Sequence, residues 1–364
     1  KTPLPAYLMT SESGSFAHYT VLERYPKIIE QVIEGNHYPQ AIVDALRDLQ
    51  QEIRSGGKAT PLSPDFPQNA DWNRLLVSYE NDTWLGLMWY FSEAFFYQRI
   101  LDVVGYYREG DLKGLDPYSS QKQAQISGDI KDLTAIWSQY ESLPPLERFD
   151  LILHSCLWGN RADLSMTAFI DGQSLQGLSN QSEREFIVSD HTDRARAFLA
   201  QGLNGIDVLN DNAGADSIFD LVLADFLISQ GWVKRVRFQL KDRPFFISDA
   251  TPQDIRQTIT QLQQQNDPSV AALGQRLNTY LITQRLILKS NTFWSSGYTF
   301  EELPPIVKED LAVTDLVILK GDANYRRLLG ERHWPYGTPI TEAAAAFPFS
   351  FLAMRTIKCE LLAG

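Results

Sequence analysis

Apolar residues recur at helical spacing through the first 145 positions and then give way to short, alternating runs. TVLERYPKIIEQVIE (20–34) and PQAIVDALRDLQQEI (39–53) each carry one apolar face, the pattern of an amphipathic helix. A Gly/Pro-rich loop, SGGKATPLSPDFPQNAD (55–71), separates them from TWLGLMWYFSEAFFYQRILDVVGYY (83–107). That stretch is apolar nearly all round and predicts a buried helix. Glu93 interrupts it, and the plainest account is a partner arginine or a bond to Tyr97 one turn on. SLPPLER (142–148) marks a break, and FDLILHSCLWGNRADLS predicts a helix stopping at Gly159-Asn160.

From about residue 203 the period changes. IDVL leads into DSIFDLVLADFLISQG; VKRVRFQL and PFFISD lead into TPQDIRQTITQLQQQ; RLILKSN and DLVILKGDAN follow, the last running into YRRLLGE; RTIKCELL closes the chain. Short strands alternating with helices predict an α/β fold, a three-layer α/β/α sandwich around a mainly parallel sheet. The expected organisation is an N-terminal helical domain over 1–145 and the α/β/α domain over 146–364. No internal repeat is visible.

Charge narrows the function. The net charge is −12, and no Lys/Arg block supplies the basic face that nucleic acid requires. An acidic chain that handles phosphate needs a local reversal of its field, which a bound divalent metal supplies. Cys156 and Cys359 make no disulfide framework and lack zinc-ligand spacing, so both are expected as core thiols in a reducing compartment. No apolar run approaches the ~20 residues of a membrane span, and no signal peptide is evident in a chain that begins at Lys1. A cytoplasmic location is the expectation, with no membrane and no nucleic-acid partner.

Each expected strand ends in polar residues: Asp211-Asn212, then Ser248-Asp249, then Lys289-Ser290-Asn291, then Lys320-Gly321-Asp322 with Asn324 beyond. Parallel strands bring such ends to one rim, where ligands of open α/β sheets bind. Asp211, Asn212 and Asp249 offer hard oxygens suited to Mg²⁺ or Mn²⁺. Lys289, Lys320, Arg355 and Lys358 are cations for phosphate oxygens, with Arg355 and Lys358 expected to open the final strand. The helix after Gly214 is expected to point free N–H groups at the same rim. Singly, each residue has a plainer use. Asp211, Asn212 or Asp249 can cap a helix, KGD is a turn signal, and Lys358 can be a solvated strand residue. Capping alone does not require a polar cluster after every strand with cations to match.

The stretches LNDNAGADSIFDLVLADFLI, FFISDATPQD, DLVILKGDANYRRLLGE and RTIKCELLAG resemble the damage-control phosphatases, metal-dependent enzymes whose domain was once described only as of unknown function. CLWGNRADLS and SFAHYTVLERYPKII are similar to the sugar-phosphate subgroup, related to a human protein also described as an acidic-residue carboxyl methyltransferase. The resemblance implies a helical region packed on an α/β/α sandwich. It implies a divalent metal (Mn²⁺, Mg²⁺, Ni²⁺ or Co²⁺) held by Asp211, Asn212 and Asp249. It implies a phosphate and substrate side formed by Lys320, Asp322, Asn324, Arg355 and Lys358, with Trp158 and Asn160 of the WGN turn. Asn210 departs from the hydrophobic residue that often precedes the Asp-Asn pair.

The implied substrate is a small phosphomonoester, a sugar phosphate of the fructose 1-phosphate type. Arg355 and Lys358 neutralise the phosphoryl oxygens, and Asp322 orients water or a sugar hydroxyl. Asp211 is either a ligand only or a nucleophile forming a phosphoaspartate. The rival reading is a carboxyl methyltransferase using S-adenosylmethionine, which calls for a Gly-rich first turn; NDNAGAD has one Gly there. A non-catalytic metal-binding scaffold is the third. The five histidines (18, 37, 154, 191, 333) show no zinc-hydrolase spacing, and His154 reads as a core residue.

Overall fold

The computed structural model describes residues 3–79, 81–159 and 186–363. Its sheet has five strands, β1 (Ile206–Leu209), β2 (Val236–Leu240), β3 (Leu286–Ser290), β4 (Leu316–Lys320) and β5 (Phe351–Met354). They lie in the order β3-β2-β1-β4-β5, and all four pairings are parallel. Ile206 faces Val236 on one side and Leu316 on the other. The order builds outward from β1 in one direction and then from β4 in the other. The reversal falls between β1 and β4, the place where a crevice opens at the carboxyl ends of the strands.

The period-2 alternation of each strand divides it between two cores. Ile206, Val208 and Ile318 join a cluster with the helices Ser119–Ser142, Pro145–Gly159, Ala215–Ser229 and Pro268–Ile282. Leu209, Val317 and Leu319 face the other way, against Trp294, Val307, Leu311 and Leu328. Helices therefore cover both faces of a buried sheet, the expected three layers.

A third cluster is the amino-terminal helices Tyr25–Glu34, Gln40–Arg54, Ala70–Val77 and Trp89–Val103. Thirteen residues of the last are buried, as its all-round apolar pattern predicts. The Ser119–Ser142 helix does not belong to this cluster. Its Ile126, Ile130, Leu133 and Trp137 pack with the sheet, so by packing the sandwich begins ahead of the expected break at 145–146.

Two strand expectations need correction. PFFISD is not the end of a strand: β2 stops at Leu240, and Phe245, Phe246 and Ile247 plug into the amino-terminal cluster instead. RTIKCELL is not a strand either. β5 lies just before it, so Arg355 and Lys358 follow the last strand and stand at the carboxyl rim rather than at the start of a strand. Both cysteines are free and buried. Among the described residues no helix is long and apolar enough to cross a membrane.

Candidate active site

The Asp-Asn pair leaves the end of β1 and is laced to the loop carrying Asp249. The Ala250 N–H donates to the Asp211 carbonyl at 2.8 Å and the Ala213 N–H to the Ser248 carbonyl at 2.6 Å. Asn212 and Asp249 form an antiparallel bridge between the two loops. The Ser248 hydroxyl donates to Asn212 Oδ1 at 2.7 Å, and Asn212 Nδ2 donates to Asp211 Oδ2 at 3.0 Å. Residues far apart in sequence thus become neighbours. The second loop is held in an uncommon conformation, with Phe246 at φ 45° and Ile247 at φ 64°, which costs ~1–3 kcal/mol per residue unless the surroundings enforce it. Phe246 is wedged against Tyr97, ring centroids 5.0 Å apart, and Tyr90, 6.0 Å apart. The aromatic amino-terminal core is what enforces it.

Gly321 opens the helix after β4 at φ +80°, and a Cβ there would lie 1.8 Å from Asp211 Oδ2. Glycine is the residue that lets this backbone pass so close to the carboxylate.

Asp211, Asn212 and Asp249 line one cleft of about 40 Å³ with Asp322, Ala323, Arg326 and Lys358. Its opposite wall comes from the amino-terminal region: Phe16, Arg24, Trp89 and Glu93. Glu93 is paired, as its place in a buried helix predicts. Arg24 Nη1 donates to it at 3.2 Å, and Arg326 Nη1 binds its other oxygen. Arg326 also grips Glu331 through Nε and Nη2 and stacks 3.6 Å over Trp89. Burial pulls the Arg326 pKa down, but Glu331 and Glu93 outweigh it and hold the guanidinium charged. Burial pushes the Glu331 carboxyl up to about 7 despite Arg326.

A family model, the damage-control phosphatase ARMT1-like domain, matches residues 20–364. The chain belongs to that family. Damage-control phosphatase ARMT1 of Mus musculus is 27% identical, over 99% of this chain and 92% of its own length. The same protein of Xenopus laevis is 28% identical and that of Homo sapiens 24%, with the same coverages. A DUF89 family protein from Pyrococcus horikoshii shares the fold, with a TM-score of 0.56, 15% identity, and 94% and 92% of the two chains covered. Membership places the chain among phosphate-ester hydrolases of a divalent-metal-dependent family.

The residues present fit such an ion. Asp211 and Asn212 are 4% exposed and Asp249 2%, and together they supply two carboxylates and an amide, all hard oxygen donors. Among the described residues no three His, Cys, Asp or Glu side chains gather to hold a metal; this set is made whole by an asparagine. Lys241 stands 3.2 Å from Asp249 Oδ2. None of the three acts as a helix cap. Gly214 and Thr251 occupy the two cap positions, Thr251 in a capping box with Asp254.

Other expected site residues are brought to the rim but not into the cleft. Lys320 is fully buried, and its ammonium is bound by Asp216 and Asp220 beneath the Asp-Asn pair. Burial disfavours that charge, and the two carboxylates more than restore it. It does not face the cleft, contrary to expectation. Lys289 pairs with Asp310 instead. Asn324 Nδ2 donates to the Lys320 carbonyl at 2.9 Å and ties the ends of β1 and β4. Arg355 Nε donates to Asp322 Oδ1 at 2.8 Å, while its other nitrogens hold the Leu361 and Cys359 carbonyls. Asp322 and Lys358 are in the lining as expected. Trp158 is buried behind the site on the Pro145–Gly159 helix, whose Gly159 packs on Ala215 and Asp216. Asn160 lies outside the described residues. Asn210 donates to Asp220 at 2.9 Å and so joins the Lys320 network. One of the N–H groups expected to be free at the helix start is taken: Asp129 accepts from Ala215 at 2.7 Å. Sequence reasoning passed over Arg24, Trp89, Arg326 and Lys241. The arginine partner expected for Glu93 was the signal that leads to Arg24 and Arg326, though it does not number them.

Proposed function

We propose that this chain hydrolyses small phosphomonoesters, sugar phosphates in particular, with Asp211, Asn212 and Asp249 as the ligands of its divalent metal. The observation that carries the reading is the meeting of these three side chains at the sheet's switch point, in one cleft with Lys358 and the Arg24–Glu93–Arg326 array. When bound, a divalent ion supplies electrophilic polarisation of the phosphoryl group and activation of water.

The protein's own groups do the rest. Lys358 offers a point charge to the phosphoryl oxygens, where charge spreads as the ester bond loosens. Arg355 holds Asp322 in place through its Nε, and Asp322 orients the attacking water or a sugar hydroxyl. Asp211 serves as a metal ligand, with Asn212 donating to its Oδ2. Trp89 and Phe16 form an apolar wall for the carbon skeleton, and Glu93 with its arginines meets hydroxyls. The cleft's 40 Å³ suits an ion and water.

The methyltransferase reading has less support. The one glycine after β1, Gly214, has Asp129 and Gln125 where a cofactor would approach; a Cβ there would meet them at 2.7 and 3.0 Å.

The test is hydrolysis of p-nitrophenyl phosphate and of fructose 1-phosphate with Mn²⁺ or Mg²⁺ by the wild type and by Asp249→Ala. Loss of ~100-fold or more in kcat is expected, the scale of removing a group that stabilises transition-state charge. Full activity in the variant removes the metal assignment. Turnover of the aryl ester alone removes the sugar-phosphate assignment.

A further inference from the structure

We propose that an open pocket separate from the cleft, between the helices Ser119–Ser142, Pro145–Gly159, Ala215–Ser229 and Pro268–Ile282, binds a small planar aromatic acid. It holds about 210 Å³, against about 40 Å³ for the cleft. That volume is many times what one water needs and below the ~300–1,000 Å³ of pockets for drug-sized molecules. A single ring with one substituent suits it.

Its walls carry two buried donors that meet no acceptor among the described residues, Trp137 Nε1 and Arg148 Nε. Trp137 is only 5% exposed. Leaving such donors unmet is costly, and native structures seldom do so without a water, an ion or a ligand. Both call for an acceptor oxygen. Two arginines, Arg148 and Arg276, and two carboxylates, Asp225 and Glu141, line the cavity. Arg276 is held by Asp225 through two bonds of 2.9 and 2.8 Å, and Glu141 acts on the same guanidinium. Arg148 instead spends its Nη2 on the Glu141 and Leu143 backbone carbonyls, and its Nε is left without an acceptor among the described residues. The remaining wall is apolar and flat: Trp137 and Tyr140 lie 14° from parallel, centroids 6.2 Å apart, beside Val222 and Phe226. A carboxylate on an aromatic ring satisfies the donors and fills the rest.

Titration calorimetry with benzoate tests this. Wild type takes up one benzoate with a Kd at or below ~1 mM, within reach of so small a ligand. Toluene, the same ring without the acceptor, binds more weakly. Trp137→Phe keeps a ring but removes the donor and weakens benzoate about tenfold or more. Val222→Phe fills the space and abolishes uptake, with circular dichroism confirming that each variant folds. Asp249→Ala leaves benzoate binding unchanged, and inorganic phosphate does not displace it. The proposal is overturned by absence of saturable binding to the wild type, by equal affinity in Trp137→Phe, or by binding that Asp249→Ala or phosphate removes.

Discussion

Replacing Gly321 by alanine adds one methyl group directly against the proposed metal site. The new Cβ lies 1.8 Å from Asp211 Oδ2, 2.2 Å from its Cγ and 2.8 Å from its Cβ. Turning the carboxylate cannot relieve contacts with three successive atoms of one side chain. Either Asp211 swings away or the start of the Gly321–Leu328 helix retreats, and contact between real carbon atoms begins near 3.0 Å. The displacement is therefore about 1 Å, the scale of misplacement that costs ~100-fold in rate. A second effect must be separated from it. Position 321 has φ +80°, where an L-residue costs ~1–2 kcal/mol. Gly202→Ala is the control, since Gly202 has φ +84° and nothing within 4 Å of its Cβ. Both variants are expected to lose stability in urea unfolding, Gly321→Ala by ~1–3 kcal/mol more because its methyl overpacks a buried site. Only Gly321→Ala loses Mn²⁺ affinity in calorimetry and Mn²⁺-dependent hydrolysis of p-nitrophenyl phosphate. A folded Gly321→Ala enzyme within about threefold of wild-type kcat/KM refutes the reasoning, because a ~1 Å shift of a ligand would then be harmless.

Lys320→Met strands Asp216 and Asp220 in the core and should cost ~3–5 kcal/mol in denaturant unfolding; a loss well below 1 kcal/mol contradicts a supporting role for the buried ammonium. Lys358→Ala should lower kcat/KM for aryl phosphates by ~10–100-fold, the scale of one charge-assisted hydrogen bond; an unchanged kcat/KM removes Lys358 from the phosphate side. Asp129 gives a pH signature, because burial pushes its carboxyl from 3.8 to about 7. Between those values the folded chain holds a proton that the unfolded chain has released, so its contribution falls as pH rises from about 4 to about 7, by at most ~4 kcal/mol. Asp129→Asn, which keeps an acceptor for the Ala215 N–H, should gain on the wild type across that window; parallel pH profiles of the two unfolding midpoints would show the carboxyl to be unshifted.

Periodicity carried the helices and most of the strands into view. IDVL, RLILKSN and DLVILKGDAN hold β1, β3 and β4, because a parallel strand buried on both faces must be a short apolar run flanked by turn residues. The same rule misled at PFFISD. Phe245, Phe246 and Ile247 are buried as their composition demands, but in the helical amino-terminal core, and hydrophobicity does not say which core takes a segment. The positive φ of two bulky residues there has no sequence signal at all. The place of Asp211 and Asn212 was legible because parallel strands send their ends to one rim; Asp249 joins them from the loop well past the end of β2, bridged to Asn212. The direction of each side chain was not. Lys320 belongs to the same KGD run as Asp322, yet it turns into the core toward Asp216 and Asp220, while Asp322 faces the cleft. Two positions separate them, and between them the chain leaves the strand at Lys320 for the helix that Gly321 opens. Arg24 and Arg326 could be found only by asking what neutralises Glu93, since the three are separated by 69 and 233 positions.

The most direct measurement is anomalous diffraction from a crystal of the wild-type chain grown with Mn²⁺, recorded at the manganese edge. The account predicts one strong peak with oxygens of Asp211, Asn212 and Asp249 at ~2.1–2.3 Å, the range for hard divalent ions. A peak elsewhere, or none at these three side chains under conditions where the enzyme turns over, contradicts it.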